Sequence, residues 1–362
     1  MIAENPESPL ARTLRTIAWE DDHVVILDQT RLPTERRDLP LYTMQDTFAA
    51  IRDLRVRGAP LIGVTAAFGL YLGMREALSG RDTAPARALE ESAAYLAGAR
   101  PTAVNLTWAL RRAVAHVTPH LGEERAAILA RLHGFAQSVL DADVAANRAL
   151  GLHGLPLLQG KSAVLTHCNA GWLASAGYGT ATAPLYLLRE RGEAVPRVYV
   201  DETRPVLQGA RLTAWELDQA GIAVTLIADN MAATVLAQRR VEAVIVGCDR
   251  MAANGDFANK IGTLGVAILA REFGVPFYAA VPTSSIDFAM AGGAEIPIEE
   301  RAASEMRAIG DRVIAPDVDI FNPAFDVTPH RYLSAVITEL GVVEPPFGAS
   351  LARIRTLLDA RE

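Results

Sequence analysis

AVLTHCNAGWLASAGYGTATAPLYLLRERGEAVPRVYVD, residues 163–201, decides how this chain is read. Ala163–His167 is a short, apolar, β-rich run. A glycine-bearing polar loop follows, and Thr180–Arg191 is then compatible with a helix. Arg197–Val200 is a second apolar run. Strand, loop, helix, strand describes a parallel crossover, and strands covered on both faces are apolar throughout. The rhythm continues downstream: Ala223–Ala228, Ala243–Gly247 and Pro276–Val281 read as strands, with Gln208–Ala220 and Ile261–Phe273 as helices between them. Residues 151–362 are therefore expected to form a Rossmann-like α/β domain on a parallel sheet.

Upstream the rhythm differs. Leu14–Trp19 and His23–Leu27 flank Glu20-Asp21-Asp22, the pattern of a hairpin. Amphipathic helical patterns follow around Met44–Arg55, Ile62–Glu76, Pro85–Gly98 and Asn105–His116, and a long one runs from about Glu123 to Leu150. Residues 1–150 are expected to be a mainly helical N-terminal domain with short strands, joined to the second near Gly151–Gly160. Two domains suit a chain of 362 residues. With 50% hydrophobic and 21% charged residues, the composition argues against a largely disordered chain. A net charge of −7 argues against a broad nucleic-acid surface, yet a few pocket arginines can still hold a phosphate. Cys168 and Cys248 are the two cysteines and neither lies in a CxxC pair, against a disulfide framework or cysteine zinc site. There is no basic-then-apolar leader and no uninterrupted apolar run suited to a bilayer, so no membrane association is expected and the cytoplasm is the expected compartment.

Ligands of open α/β sheets bind beyond the carboxyl ends of the strands, near a switch in strand order. Those joints are polar here. They read His167-Cys168-Asn169, Asp201-Glu202-Thr203-Arg204, Asp229-Asn230, Asp249-Arg250 and Thr283-Ser284-Ser285. The glycine-rich stretch from Gly171 to Thr180 could turn its amides towards an oxyanion. It is no dinucleotide fingerprint, because Thr182 stands where the third glycine belongs, and no Walker lysine or HExxH metal motif occurs. In the helical part, Arg57-Gly58-Ala59-Pro60 and Arg100-Pro101-Thr102-Ala103 each set a guanidinium before a helix start, an arrangement that suits phosphate. The plainer reading is a surface arginine ahead of a capped helix. Cys248 reads as a small buried hydrophobe in a strand. His167 should point away from Cys168 by strand alternation, towards a structural role. Asp201 and Glu202 are either site supports or carboxylates neutralised by Arg204 and Arg211.

Taken together, Arg57-Gly58-Ala59-Pro60-Leu61-Ile62-Gly63, Arg100-Pro101-Thr102, Thr166-His167-Cys168-Asn169, Asp201-Glu202-Thr203-Arg204-Pro205, Gln208-Gly209-Ala210-Arg211-Leu212-Thr213, Gly247-Cys248-Asp249-Arg250 and the run from Asn254-Gly255-Asp256 to Asn259-Lys260-Ile261-Gly262 resemble the methylthioribose-1-phosphate isomerase family. That family shares a superfamily with the regulatory α, β and δ subunits of translation initiation factor 2B. The resemblance spans nearly the whole chain. It implies a homodimer with a cofactor-free, metal-free site between a helical and a Rossmann-like domain. It puts the catalytic cysteine on Cys168 and the catalytic aspartate on Asp249. Substrate-binding positions fall on Arg57, Gly58, Ala59, Arg100, Gln208, Asn259 and Lys260.

The activity so implied is an aldose–ketose isomerisation in methionine salvage, 5-methylthioribose 1-phosphate to 5-methylthioribulose 1-phosphate, with 5-deoxyribose 1-phosphate as a further substrate. Ribose-1,5-bisphosphate isomerase is the nearest rival enzyme. A non-catalytic, initiation-factor-like regulatory subunit is disfavoured, since a binding module has no need of both Cys168 and Asp249. The incomplete glycine fingerprint disfavours a nicotinamide-dependent oxidoreductase. If Asp249 donates a proton near pH 7, its pKa must rise from about 3.9, at a cost of about 4 kcal/mol. An apolar, closed surround is expected for it.

Overall fold

Two separate cores organise the chain in the computed structural model, which describes residues 9–80, 83–100 and 104–360. Met1–Ala145 with Trp172–Gly179 forms one unit, and Ala146–Gly171 with Thr180–Glu362 the other.

In the first unit, helix α1 (Pro9–Leu14) leads into an antiparallel sheet of β1 (Ile17–Glu20), β2 (His23–Leu27) and β3 (Asp38–Leu41). The hairpin turns at Asp21-Asp22 as its sequence suggests. Strand β3 was not anticipated, because DLPL is a short, proline-bearing edge with only two covered positions, Leu39 and Leu41. Helices α2 (Met44–Arg52), α3 (Ala59–Ala77), α4 (Pro85–Ala97), α5 (Val104–Val117) and α6 (Arg125–Leu158) follow. A capping box starts α2: Thr43 Oγ1 accepts the Asp46 N–H and the Asp46 carboxylate accepts the Thr43 N–H, both at 3.0 Å. Helix α3 is buried on nearly every side from Leu61 to Met74, packed against α2, α4 and α5. By length and composition it could cross a bilayer, contrary to the expectation of no such run. An all-round apolar helix inside a protein core meets the same description, and α3 is mostly buried.

The expected junction at 151–160 is not a linker. Helix α6 runs on to Leu158, and the unit boundary falls inside it at Ala145/Ala146. Gly151 and Gly154 are packing glycines: a Cβ on Gly151 would lie 2.7 Å from Leu187 Cδ1, and one on Gly154 2.9 Å from Pro184 Cγ.

The second unit follows its predicted alternation. Strand β4 (Ala163–Thr166), helix α7 (Ala183–Glu190), β5 (Arg197–Asp201), α8 (Ala214–Gln219), β6 (Val224–Ile227), α9 (Ala232–Ala237) and β7 (Ala243–Val246) come first. Next are β8 (Arg250–Ala252), β9 (Phe257–Lys260), α10 (Thr263–Glu272), β10 (Phe277–Ala280) and β11 (Ile286–Asp287). The chain ends with α11 (Ala303–Arg307), β12 (Ala308–Ile309), β13 (Arg312–Val313), β14 (Phe325–Thr328), β15 (Ala335–Thr338), β16 (Gly341–Val343) and α12 (Phe347–Asp359). The main sheet has the order β16-β15-β10-β7-β4-β5-β6 and is parallel except for β16. Its inner strands β4, β7 and β10 are wholly buried, which is why they read as apolar runs; β15 is equally buried but was not anticipated. A smaller sheet, β11-β8-β9-β14, stands beside it in sequence order after β7.

Strand order reverses at β4. The chain leaves β4 for β5 and β6 on one side, then returns to add β7 on the other. The crevice beyond the carboxyl ends of β4 and β7 is therefore where this topology puts a ligand.

Candidate active site

Cys168 follows β4 and Asp249 follows β7, so both candidate catalytic residues leave adjacent strands at the switch point. Cys168 is half-buried and its backbone has φ 66°, a left-handed conformation that costs a side-chain-bearing residue about 1–2 kcal/mol. Two threonines hold it there. The Cys168 N–H donates to Thr203 Oγ1 (2.9 Å), and Thr213 Oγ1 donates to the Cys168 carbonyl (2.6 Å). Thr203 is itself left-handed at φ 63°, and so is Leu207 at φ 63°. Strain of this kind persists where surrounding bonds over-determine the backbone. Both threonines lie in stretches singled out from sequence, but their role was not visible there, because it depends on which loop they face.

Gln208 precedes a π-helical turn, Gly209–Thr213, and its side-chain carbonyl oxygen is buried without a hydrogen-bond partner among the described residues. Such an oxygen is an acceptor suited to a ligand hydroxyl. Gly209 is pressed against β5, since a Cβ there would lie 1.7 Å from the Asp201 carbonyl oxygen. Asn259 is buried at the end of β9 with its amide on Thr263 Oγ1 (3.0 Å), and the Lys260 ammonium lies 4.7 Å from the Phe325 ring centroid.

Asp249 departs from expectation. It is exposed, and its N–H continues the β8–β9 ladder onto the Ala258 carbonyl (3.0 Å). Among the described residues it is thus not enclosed by the apolar, closed surround expected of a proton donor. Cys248 lies beyond the end of β7 rather than within the strand, but it behaves as expected of a core residue. It packs against the sheet core, and burial, aided by the Asp249 carboxylate, pushes its thiol well above the ordinary range.

His167 and Asp201 make a pair that sequence did not foresee. His167 Nδ1 lies 2.9 Å from Asp201 Oδ2, and Nε2 lies 2.8 Å from the Ile261 carbonyl oxygen. Asp201 is thus neutralised by an imidazole instead of Arg204 or Arg211. The Arg204 guanidinium donates to the Pro205 and Met306 carbonyls (2.9 and 3.0 Å). Burial opposes charge on His167, but Asp201 outweighs it and holds the imidazole above its ordinary value. Burial pushes the Asp201 carboxyl up, against the opposing pull of the His167 imidazole.

With Asp229, these two residues bring ligand-type atoms within 4.8 Å of one another. The donor set does not fit a metal. A carbonyl can only accept, so Nε2 carries a proton, and Nδ1 is engaged by Asp201. Asp229 accepts the N–H groups of Thr203 and Arg204, both at 2.7 Å. The cluster is an internal hydrogen-bond network.

Within the glycine loop, the Gly177 and Gly179 N–H groups donate to Ser175 Oγ (3.3 and 3.1 Å), and the Ala176 N–H donates to Asp143 (2.7 Å). These three amides are engaged inside the protein.

The remaining candidates belong to the first unit. Arg57 is half-buried just before α3, whose start has no side-chain cap. Gly58 has φ 91°, and a Cβ on it would lie 2.2 Å from the Ala174 carbonyl oxygen, so only glycine fits. Ala59 opens the helix. Arg100 follows α4, and the Pro101-Thr102-Ala103 part of its motif lies outside the described residues.

The fold defines a class of α/β protein built on a mainly parallel sheet whose strand order switches at β4. The chain belongs to the Initiation factor 2 subunit family, which it matches over residues 55–345. It is 54% identical over 340 residues to a 5-deoxyribose 1-phosphate isomerase of Moorella thermoacetica, covering 93% of this chain and 96% of the relative. It is 50% identical over 344 residues to a methylthioribose-1-phosphate isomerase of Desulforudis audaxviator, covering 94% and 97%. The crystal structure of 5-methylthioribose 1-phosphate isomerase from Pyrococcus horikoshii OT3 superposes with a TM-score of 0.92 at 43% identity, over 98% of this chain and 100% of that one.

Proposed function

We propose that the chain is an aldose–ketose isomerase that converts 5-methylthioribose 1-phosphate to 5-methylthioribulose 1-phosphate and also takes 5-deoxyribose 1-phosphate. The observation that carries this is the emergence of Cys168 and Asp249 from adjacent strands at the switch point, in a chain about half identical to isomerases of those names. The phosphate ester on the anomeric oxygen prevents spontaneous ring opening. In the proposed step Asp249 protonates the ring oxygen as its bond to carbon 1 breaks. Hydrogen moves from carbon 2 to carbon 1, and the 2-hydroxyl proton leaves to Asp249, so a ketone forms at carbon 2. Cys168 works on the opposite side of the reacting carbons.

Asp249 is exposed, so in this reading bound substrate excludes solvent from it when it acts as an acid. Gln208, whose side-chain oxygen has no partner among the described residues, accepts from a sugar hydroxyl. Lys260, and separately Arg57 and Arg100, supply cationic groups suited to a phosphate. This assigns the chain to methionine salvage as a cytoplasmic homodimer.

The test is product identification by NMR with purified protein and three pentose 1-phosphates. Burying the methylthio group should favour the first substrate over the deoxy sugar by about 1–2 kcal/mol. Ribose 1,5-bisphosphate should trail far behind, since a second phosphate would be desolvated without a partner. If the bisphosphate proved best, the chain would be the sister isomerase.

A further inference from the structure

We propose that His167 and Asp201 are a positioning pair for this isomerisation, holding the Cys168 strand end and the Asn259–Lys260 strand end at a fixed spacing. The inference rests on the functional reading above. His167 directly precedes Cys168, so any rotation of its backbone turns the candidate catalytic residue. Its imidazole reaches two other chain segments at once: Asp201 at the end of β5 (2.9 Å) and the Ile261 carbonyl beside Lys260 (2.8 Å). Both side chains are out of solvent, at 1% and 0% exposure. The ring is braced by Gly262, where a Cβ would lie 2.8 Å from His167 Cε1 and where φ is 106°.

Asp201 reaches Cys168 by a second route. Its carbonyl accepts the Thr203 hydroxyl (3.0 Å), and Thr203 Oγ1 accepts the Cys168 N–H (2.9 Å). Cys168 is thus tied to β5 through both the His167 side chain and the Thr203 hydroxyl, and to the end of β9 through the imidazole alone. Apolar side chains of equal volume would fill this space without the cost of burying ionisable groups. What they could not supply is direction, and the bridge fixes three backbones relative to one another. Losing it should leave the phosphate contacts in place while the reacting groups drift, so kcat should fall and KM should hold.

Three variants test this at a temperature where circular dichroism finds each folded. Asp201→Ala and His167→Asn break the bridge, and kcat should drop about 10–100-fold with KM within about threefold, the scale of an ångström-sized misplacement. Asp201→Asn keeps the shape: its amide can donate to Nδ1 while Nε2–H stays on Ile261, so it should recover most of the kcat lost in Asp201→Ala. If Asp201→Asn is as impaired as Asp201→Ala, charge is what matters and positioning is overturned. Normal kcat in His167→Asn, or losses confined to KM, would overturn it too. Should Asp201→Ala fail to fold, His167→Asn against Asp201→Asn decides alone. Failure of the unaltered protein on every pentose 1-phosphate would sink the functional reading and this inference with it. Turnover by the unaltered protein with unimpaired variants sinks only the pair.

Discussion

Cys168 and Cys248 both follow strands of one sheet, yet their surroundings separate them. Cys248, also half-buried, packs against the core, and burial pushes its thiol above its ordinary range, away from the nucleophilic thiolate. Cys168 sits half-buried on a strained backbone clamped by Thr203 and Thr213. A hydroxyl ionises far less readily than a thiol, so Cys168→Ser should lose about 10²-fold or more in turnover while remaining folded. Cys248→Ser should retain most activity. Equal losses in the two folded variants would reverse the assignment. Cys168 drew attention through its place after an apolar run among polar residues, and that signal is local. The His167–Asp201 bond was not legible, because its partners lie 34 residues apart and meet only when β4 pairs with β5.

At the scale of elements, the turn between β8 and β9 depends on one carboxylate. Asp256 accepts the His330 N–H (2.8 Å), the Asn254 amide (2.8 Å) and the Gly293 N–H (3.1 Å), and lies 2.7 Å from His330 Nδ1. Burial alone would raise its pKa, but these hydrogen bonds prevail and hold the carboxyl below its ordinary value. A group depressed on folding adds stability that is present above the unfolded pKa, about 3.9, and is lost as pH falls through the lower folded value. Asp256→Asn should therefore lower Tm at pH 7 and flatten the fall of Tm below about pH 4. Parallel Tm–pH curves for the two proteins would contradict this. Asp256 appeared in sequence only as a polar residue near Asn259. Two of its partners, Gly293 and His330, lie 37 and 74 residues further along the chain.

For the molecule as a whole, the division into units does not follow the chain order. The first unit takes residues 172–179 from beyond α6. Gln29 donates to the Leu173 carbonyl and Thr16 to the Ser175 carbonyl, both at 2.7 Å, and both donors are buried. A fragment ending at residue 150 leaves those donors without their acceptors, at about 1–3 kcal/mol for each buried group. It should melt earlier, and less cooperatively, than the same fragment with residues 170–181 appended through a flexible linker. Equal melting by circular dichroism would mean that the segment adds nothing to the first unit.

Sequence alone determined the central strands β4, β5, β6, β7 and β10 with the helices between them, and hence the polar joints where ligands of such sheets bind. Apolar runs report how one local segment is covered, and β4, β7 and β10 are buried along their whole length. Tertiary structure alone decided the strand order that makes β4 the switch point, the short strands of the second sheet, and the continuation of α6 through Gly151 and Gly154. It also decided that Asp249 meets solvent and that three amides of the glycine loop are engaged inside the protein. Each of these depends on which distant segment lies alongside, and no local pattern of residues encodes that.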